Sequence, residues 1–206
     1  MPDMLSAQAT ALAERGVDAR EPAEQALRIA RDTDDPLNLA FATWGAARAR
    51  VEPGDSTAHS LLDEVARGAI HHNPEYARVL PGLARAAAAV GSLDLVGRLC
   101  ADVPDTLPIQ QHALATAVAI EAEQTGDHTR AAALYAGAAR RWEQFTDVLE
   151  HAHALLAQGR CLTHTGDPGA HQPLRQARLL FDEMGARPRI DECDALTAQA
   201  SRARSA

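Results

Sequence analysis

A glycine followed closely by an aspartate recurs at nearly even intervals and divides the chain into similar lengths. Gly16, Gly54, Gly91, Gly126 and Gly166 are 38, 37, 35 and 40 residues apart. Each has an aspartate within three residues after it: Asp18, Asp55, Asp94, Asp127 and Asp167. Glycine ends a helix in a left-handed conformation at little steric cost. Aspartate accepts hydrogen bonds from the unpaired amides that open the next helix. Each pair therefore reads as a tight joint between two helices.

Two further registers run in phase with the joints. Seven residues before each glycine stands a small residue: Ala9, Ala47, Ala84, Ala119 and Gly159. At that position two helices of a hairpin cross closely, and a larger side chain would push them apart. Pro36, Pro74, Pro108 and Pro188 each lie at the start of a new apolar run. Proline suits a first helical turn, where its missing N–H costs nothing. The junction at Thr146-Asp147 has no proline, and Asp147 is the candidate cap. First helices are expected at about 3–15, 36–51, 75–90, 108–125, 147–165 and 188–203. Second helices are expected at about 20–33, 56–72, 92–102, 128–145 and 170–184. The fold class is all-α, because the composition is 46% hydrophobic but only 3% aromatic and alanine, the best helix former, dominates the apolar share.

One hairpin cannot bury its own apolar stripe, whereas stacked hairpins bury a continuous one. The expected architecture is a right-handed superhelical solenoid of about five antiparallel helix hairpins plus a capping helix. It forms a single array over 1–206, and the last helix becomes polar towards its end. Pro81-Gly82 falls inside a first helix and predicts a kink or break. The following second helix is short, so 81–107 is the expected hinge.

The segment "GDHTRAAALYAGAA" resembles the turn and second helix of a tetratricopeptide repeat. Gly126 and Asp127 match the turn, and Ala131, Tyr135 and Ala138 match the small, aromatic and small positions. "LLAQGRCLTHTG" is similar to the first helix of the next unit, with Gly159 at the small crossing position. Over about 140–198 the chain resembles the C-terminal arrays of bacterial ATP-dependent LuxR-type transcriptional regulators and of adenylate-cyclase-like signalling proteins. The period here is longer than the family's, and residues 1–100 match only through the registers. There is no G-x-x-x-x-G-K-[ST] loop, no cyclase domain and no room for a C-terminal DNA-binding helix-turn-helix. The resemblance implies a regulatory module of signalling or transcription control, detached from such a regulator.

Charge and cysteine usage narrow the partners. All 20 basic residues are arginine, and the net charge is −8, which disfavours nucleic acid as a direct partner. Cys100, Cys161 and Cys193 are odd in number and far apart, so no disulfide framework is expected and the cytoplasm is the default compartment. The opening "MPDMLSAQATALAERG" lacks the charged and apolar regions of a secretory signal. No window approaches the apolar length of a membrane span. A monomer or weak homodimer is expected.

No residue set argues for catalysis, for a metal or for a cofactor. Cys161 and His164 share a helix face, but only distant His171 could add to them, and zinc wants about four ligands. Cys161 and Cys193 read as small buried hydrophobes, and the acidic pairs as caps and solvated faces. The expected working surface is instead the inner side of the stack, lined by first helices. Phased on the glycines, it would present Phe41, Trp44, Arg48, Arg85, Ile120 and Arg160. Arginine holds carboxylates through two parallel bonds, so this groove would take an acidic segment of a protein or peptide. The plainer reading pairs these arginines with neighbouring glutamates. The leading function is a non-catalytic protein- or peptide-binding scaffold. The alternative is a small-molecule effector sensor with its hinge at Pro81-Gly82 and its pocket at His151, His153, His164 and His171.

Overall fold

The computed structural model describes residues 2–33, 35–50 and 56–203. All regular structure among them is helical. In chain order the helices are α1 (Pro2–Glu14), α2 (Arg20–Thr33), α3 (Pro36–Arg50), α4 (Ser56–Ala66), α5 (Tyr76–Ala89), α6 (Leu93–Cys100), α7 (Pro108–Gln124), α8 (His128–Phe145), α9 (Val148–His164), α10 (His171–Glu183) and α11 (Arg187–Ala203). A short 3-10 turn, Pro168–Ala170, precedes α10. No described helix is long and apolar enough to cross a membrane.

The described joints follow the glycine rule. Gly16, Gly91, Gly126 and Gly166 have φ between 72° and 84°. Around Gly16, the Gly16 N–H donates to the Ala13 carbonyl and the Val17 N–H to that of Leu12. The same two-bond lock recurs at Gly91, Gly126 and Gly166. It satisfies the carbonyls that a helix end leaves unpaired. The joint expected at Gly54-Asp55 lies outside the described residues.

Two more locks were not expected. Gly185, with φ 67°, closes α10, and Thr146 adopts φ 62° at the end of α8. The aspartates act as caps at Asp127, Asp147 and Asp167, which accept from the amides of Arg130, Glu150 and Gly169. Asp18 likewise accepts from the Arg20 amide. Asp94 departs from the rule: it lies within the first turn of α6, whose N-cap Ser92 makes no side-chain bond.

Helix α4 ends at Ala66 rather than near 72, and 67–72 form turns in which the Gly68 N–H donates to the Val65 carbonyl. Helix α5 corrects the expectation of a break at Pro81. It runs unbroken from Tyr76 to Ala89 with Pro81 inside. The physical reason is tertiary. Trp44 of α3 lies over Gly82 so closely that a Cβ there would sit 2.1 Å from the indole Nε1. Pro81 and Gly82 are buried with their neighbours Leu80, Leu83 and Ala84. Gly82 forms a seat for the indole ring, and packing holds the helix through the backbone bond lost at Pro81.

The chain divides into two compact units, Met1–Ala117 and Val118–Ala206. The division falls inside α7, beyond the 81–107 stretch. In the first unit α1 packs on α2 and α3, α3 on α4 and α5, and α6 on α4 and α5. Its core is built of small residues, among them Ala9, Ala23, Ala26, Ala42 and Ala46, with Leu27 and Leu61. Tyr76 is buried there, and its hydroxyl donates to the Leu99 carbonyl at 3.0 Å.

In the second unit α8 packs on α9, α9 on α10, and α11 on both α9 and α10. Trp142, Leu174 and Phe181 are its large buried side chains. The small crossing register is fully buried at Ala9, Ala47, Ala84 and Ala119. At Gly159 a Cβ would come within 2.5 Å of the Leu174 side chain. Helix α11 buries Ile190, Cys193 and Ala200 and turns Asp191, Asp194, Gln199 and Arg202 to solvent.

Candidate functional site

Four of the six residues expected on the working face belong to the first unit. Phe41, Trp44 and Arg48 lie three and four residues apart on α3 and share one side of it. Phe41 and Trp44 are half-buried. Trp44 rests on Gly82, one turn before the half-buried Arg85 on α5. The structure thus brings this α3 stripe against the stretch of α5 that carries Arg85. Arg48 turns inward: its Nη2 donates to Oε1 of Glu14 on α1. The two side chains are only 11% and 9% exposed, so Arg48 acts as an internal pin between α1 and α3.

Ile120 and Arg160 belong to the second unit. Ile120 is buried, one turn before Glu123 on the same face of α7. Arg160 is partly exposed and makes a fork with Glu123, Nε to Oε1 at 2.6 Å and Nη2 to Oε2 at 2.9 Å. Its Nη1 donates to Oε1 of Glu192 on α11 at 3.1 Å. Arg189 donates to the other oxygen of Glu192 at 2.7 Å. The Tyr135 hydroxyl of α8 donates to Glu123 at 2.8 Å.

This cluster ties α7, α8, α9 and α11 together by side-chain bonds. Its two guanidinium groups meet two carboxylates, so it carries no net charge. Burial works against a charged Arg160, but Glu123 and Glu192 more than offset it and raise its pKa. Burial likewise opposes the Glu123 charge, and Arg160 outweighs it, holding that carboxyl below its ordinary range. The Tyr135 phenol is pushed up, first by burial and then by the Glu123 charge.

Sequence reasoning missed the partners Glu14, Glu123, Tyr135, Arg189 and Glu192. A signal was present. Arg48 and Arg160 each stand six residues before a joint glycine, and each reaches back 34 and 37 residues. That is about one repeat, to a glutamate two or three residues before the preceding joint glycine.

The histidines proposed for a pocket have separate neighbours. His153 packs edge-on against Phe181, and His164 lies against His128. Among the described residues no three His, Cys, Asp or Glu side chains are grouped to hold a metal ion. Cys161 and Cys193 are fully buried. Burial, with Glu123 beside one and Glu192 beside the other, pushes both thiols up to about 12, far from nucleophilic character at neutral pH. An open cleft of ≈ 370 Å³ lies between α2 and α4, floored by Leu27 and Leu61 and walled by Arg28, Arg31 and Glu64. Arg31 and Glu64 pair across it at 2.9 Å.

Compared with known proteins, the chain matches no family model, no curated protein and no solved structure.

Proposed function

We propose that the protein is a non-catalytic interaction module that binds a protein or peptide. In this reading its hairpins form a right-handed, tetratricopeptide-like solenoid that acts in bacterial signalling or transcription control in the cytoplasm. The observation that carries the reading is the packing order. Within each unit the extensively packed helices are chain neighbours or next neighbours, and the buried small residues keep one register. A stack of that kind offers a long continuous face rather than a closed cleft.

Arg48 is tied to Glu14 and Arg160 to Glu123; the proposed recognition surface is the α3–α5 stripe of Phe41, Trp44 and Arg85, held together where Trp44 rests on Gly82. Charge reversal at Arg48 would break the fold along with the face. The test therefore uses Arg85→Glu together with Phe41→Ser in the full chain. A partner co-purifying in fixed ratio from the native cell is expected to be lost with this variant, while helicity by circular dichroism stays unchanged. Undiminished co-purification would move the binding face elsewhere, and the lack of any partner in fixed ratio would remove the reading.

A further inference from the structure

Two imidazoles that the sequence places 36 residues apart meet at the surface of the second unit. His128 opens α8 and His164 ends α9. Their ring centroids are 3.8 Å apart, with the planes inclined by 40°. His164 is exposed. The Nδ1 atom of His128 is buried and has no hydrogen-bond partner, so that nitrogen has nothing in the fold to hold. Neither ring serves the Arg160 cluster.

We propose that His128 and His164 form a two-imidazole site for a late first-row divalent cation, Ni2+, Cu2+ or Zn2+. Imidazole nitrogen suits these ions, whereas Mg2+ and Ca2+ demand oxygen ligands. Metal–nitrogen bonds of about 2.1 Å place two rings sharing one ion about 4.5–5 Å apart. The pair therefore parts by roughly 1 Å and its rings turn so that one nitrogen of each converges on the ion, a movement that the exposed His164 at its helix end permits. Water completes the coordination, since no third His, Cys, Asp or Glu is grouped with the pair among the described residues. Exposed Asp127 immediately precedes His128, and exposed Asp167 stands three residues after His164. The ion would clip the start of α8 to the end of α9 and stiffen a hairpin whose helices already pack together.

The test is thermal unfolding of the full chain at about pH 8, where imidazole is neutral, with and without NiCl2 in a non-chelating buffer. Binding to the folded state alone raises the midpoint. The expected rise is at least about 2 °C, absent with MgCl2 and abolished by His128→Asn and by His164→Asn. No rise, an equal rise with MgCl2, or a rise that survives both substitutions would overturn the proposal. Should the variants unfold, substoichiometric Cu2+ added to the unaltered chain decides by NMR. Line broadening confined first to the His128 and His164 ring signals supports the site, and broadening spread evenly over all nine histidines refutes it.

Discussion

At the scale of single residues, the joints were legible because their causes are local. A left-handed φ asks for glycine, and a first-turn amide asks for an aspartate three residues before it. Both requirements appear in adjacent letters of the sequence. Thr146 is the informative exception. It makes the same lock as the glycines, with its N–H donating to the Glu143 carbonyl and that of Asp147 to Trp142, but it carries a β-branched side chain at φ 62°. Left-handed backbone costs a non-glycine residue about 1–2 kcal/mol, while glycine loses about 0.5–1 kcal/mol more in chain entropy on folding. Thr146→Gly is therefore expected to stabilise the protein by about 0.5–1 kcal/mol. Urea unfolding would register this as a higher midpoint with an unchanged slope. A lower midpoint would mean that the Thr146 hydroxyl, bonded to the Phe145 carbonyl at 2.7 Å, outweighs the strain.

At the scale of elements, helix boundaries follow the sequence closely wherever a cap sets them. Helix α8 spans His128–Phe145 as the Gly126-Asp127 joint requires. Two features escaped, for different reasons. Pro81 carries a strong local signal to stop, yet α5 continues because Trp44 of α3 fills the space that Gly82 leaves. Gly185 went unread because it lies 19 residues after Gly166, outside the period of the other joints. The candidate face was legible only in part. Phe41, Trp44 and Arg48 share one side of α3 by their three- and four-residue spacing, but that spacing is blind to which arginine finds a carboxylate. Glu14 and Glu123 lie about one repeat back from Arg48 and Arg160, a separation that a reading confined to one hairpin does not span. Those pairings make Arg48 and Arg160 internal ties.

At the scale of the whole molecule, stability should have a plateau near neutral pH and fall on both sides. Burial holds His71 and His151 below the ordinary imidazole value of 6.5. Asp63 is held below the usual carboxylate value by Arg98 and Arg67, and Glu123 is held low by Arg160. Asp18 is held at about 2 by Arg20. Each of these groups binds protons more readily in the unfolded chain, so acidification favours unfolding. The loss begins as the pH falls below 6.5 through the histidines and deepens through the carboxylates. On the alkaline side the raised thiols of Cys161 and Cys193 act with the opposite sign. Their contribution is present below 9.0 and is lost towards 12. Urea midpoints measured across pH are expected to be level between about 7 and 9 and lower outside that range. A midpoint that rises on going from pH 7 to pH 5 would contradict these assignments.

Close helix crossings at one repeated position underlie the proposed stack, and two glycines of the second unit probe them. Gly137 lies in α8 with nothing within 4 Å of where its Cβ would be, whereas a Cβ on Gly159 of α9 would meet the fully buried Leu174 at 2.5 Å. Alanine is favoured over glycine in a helix by about 1 kcal/mol, and forcing a methyl into a packed crossing costs about 1–3 kcal/mol or more. Equilibrium denaturation of the two variants should therefore give opposite signs, Gly137→Ala more stable than the parent and Gly159→Ala less. Stabilisation by both would mean that α9 and α10 do not meet at that distance, and the stacked hairpins would lose their support.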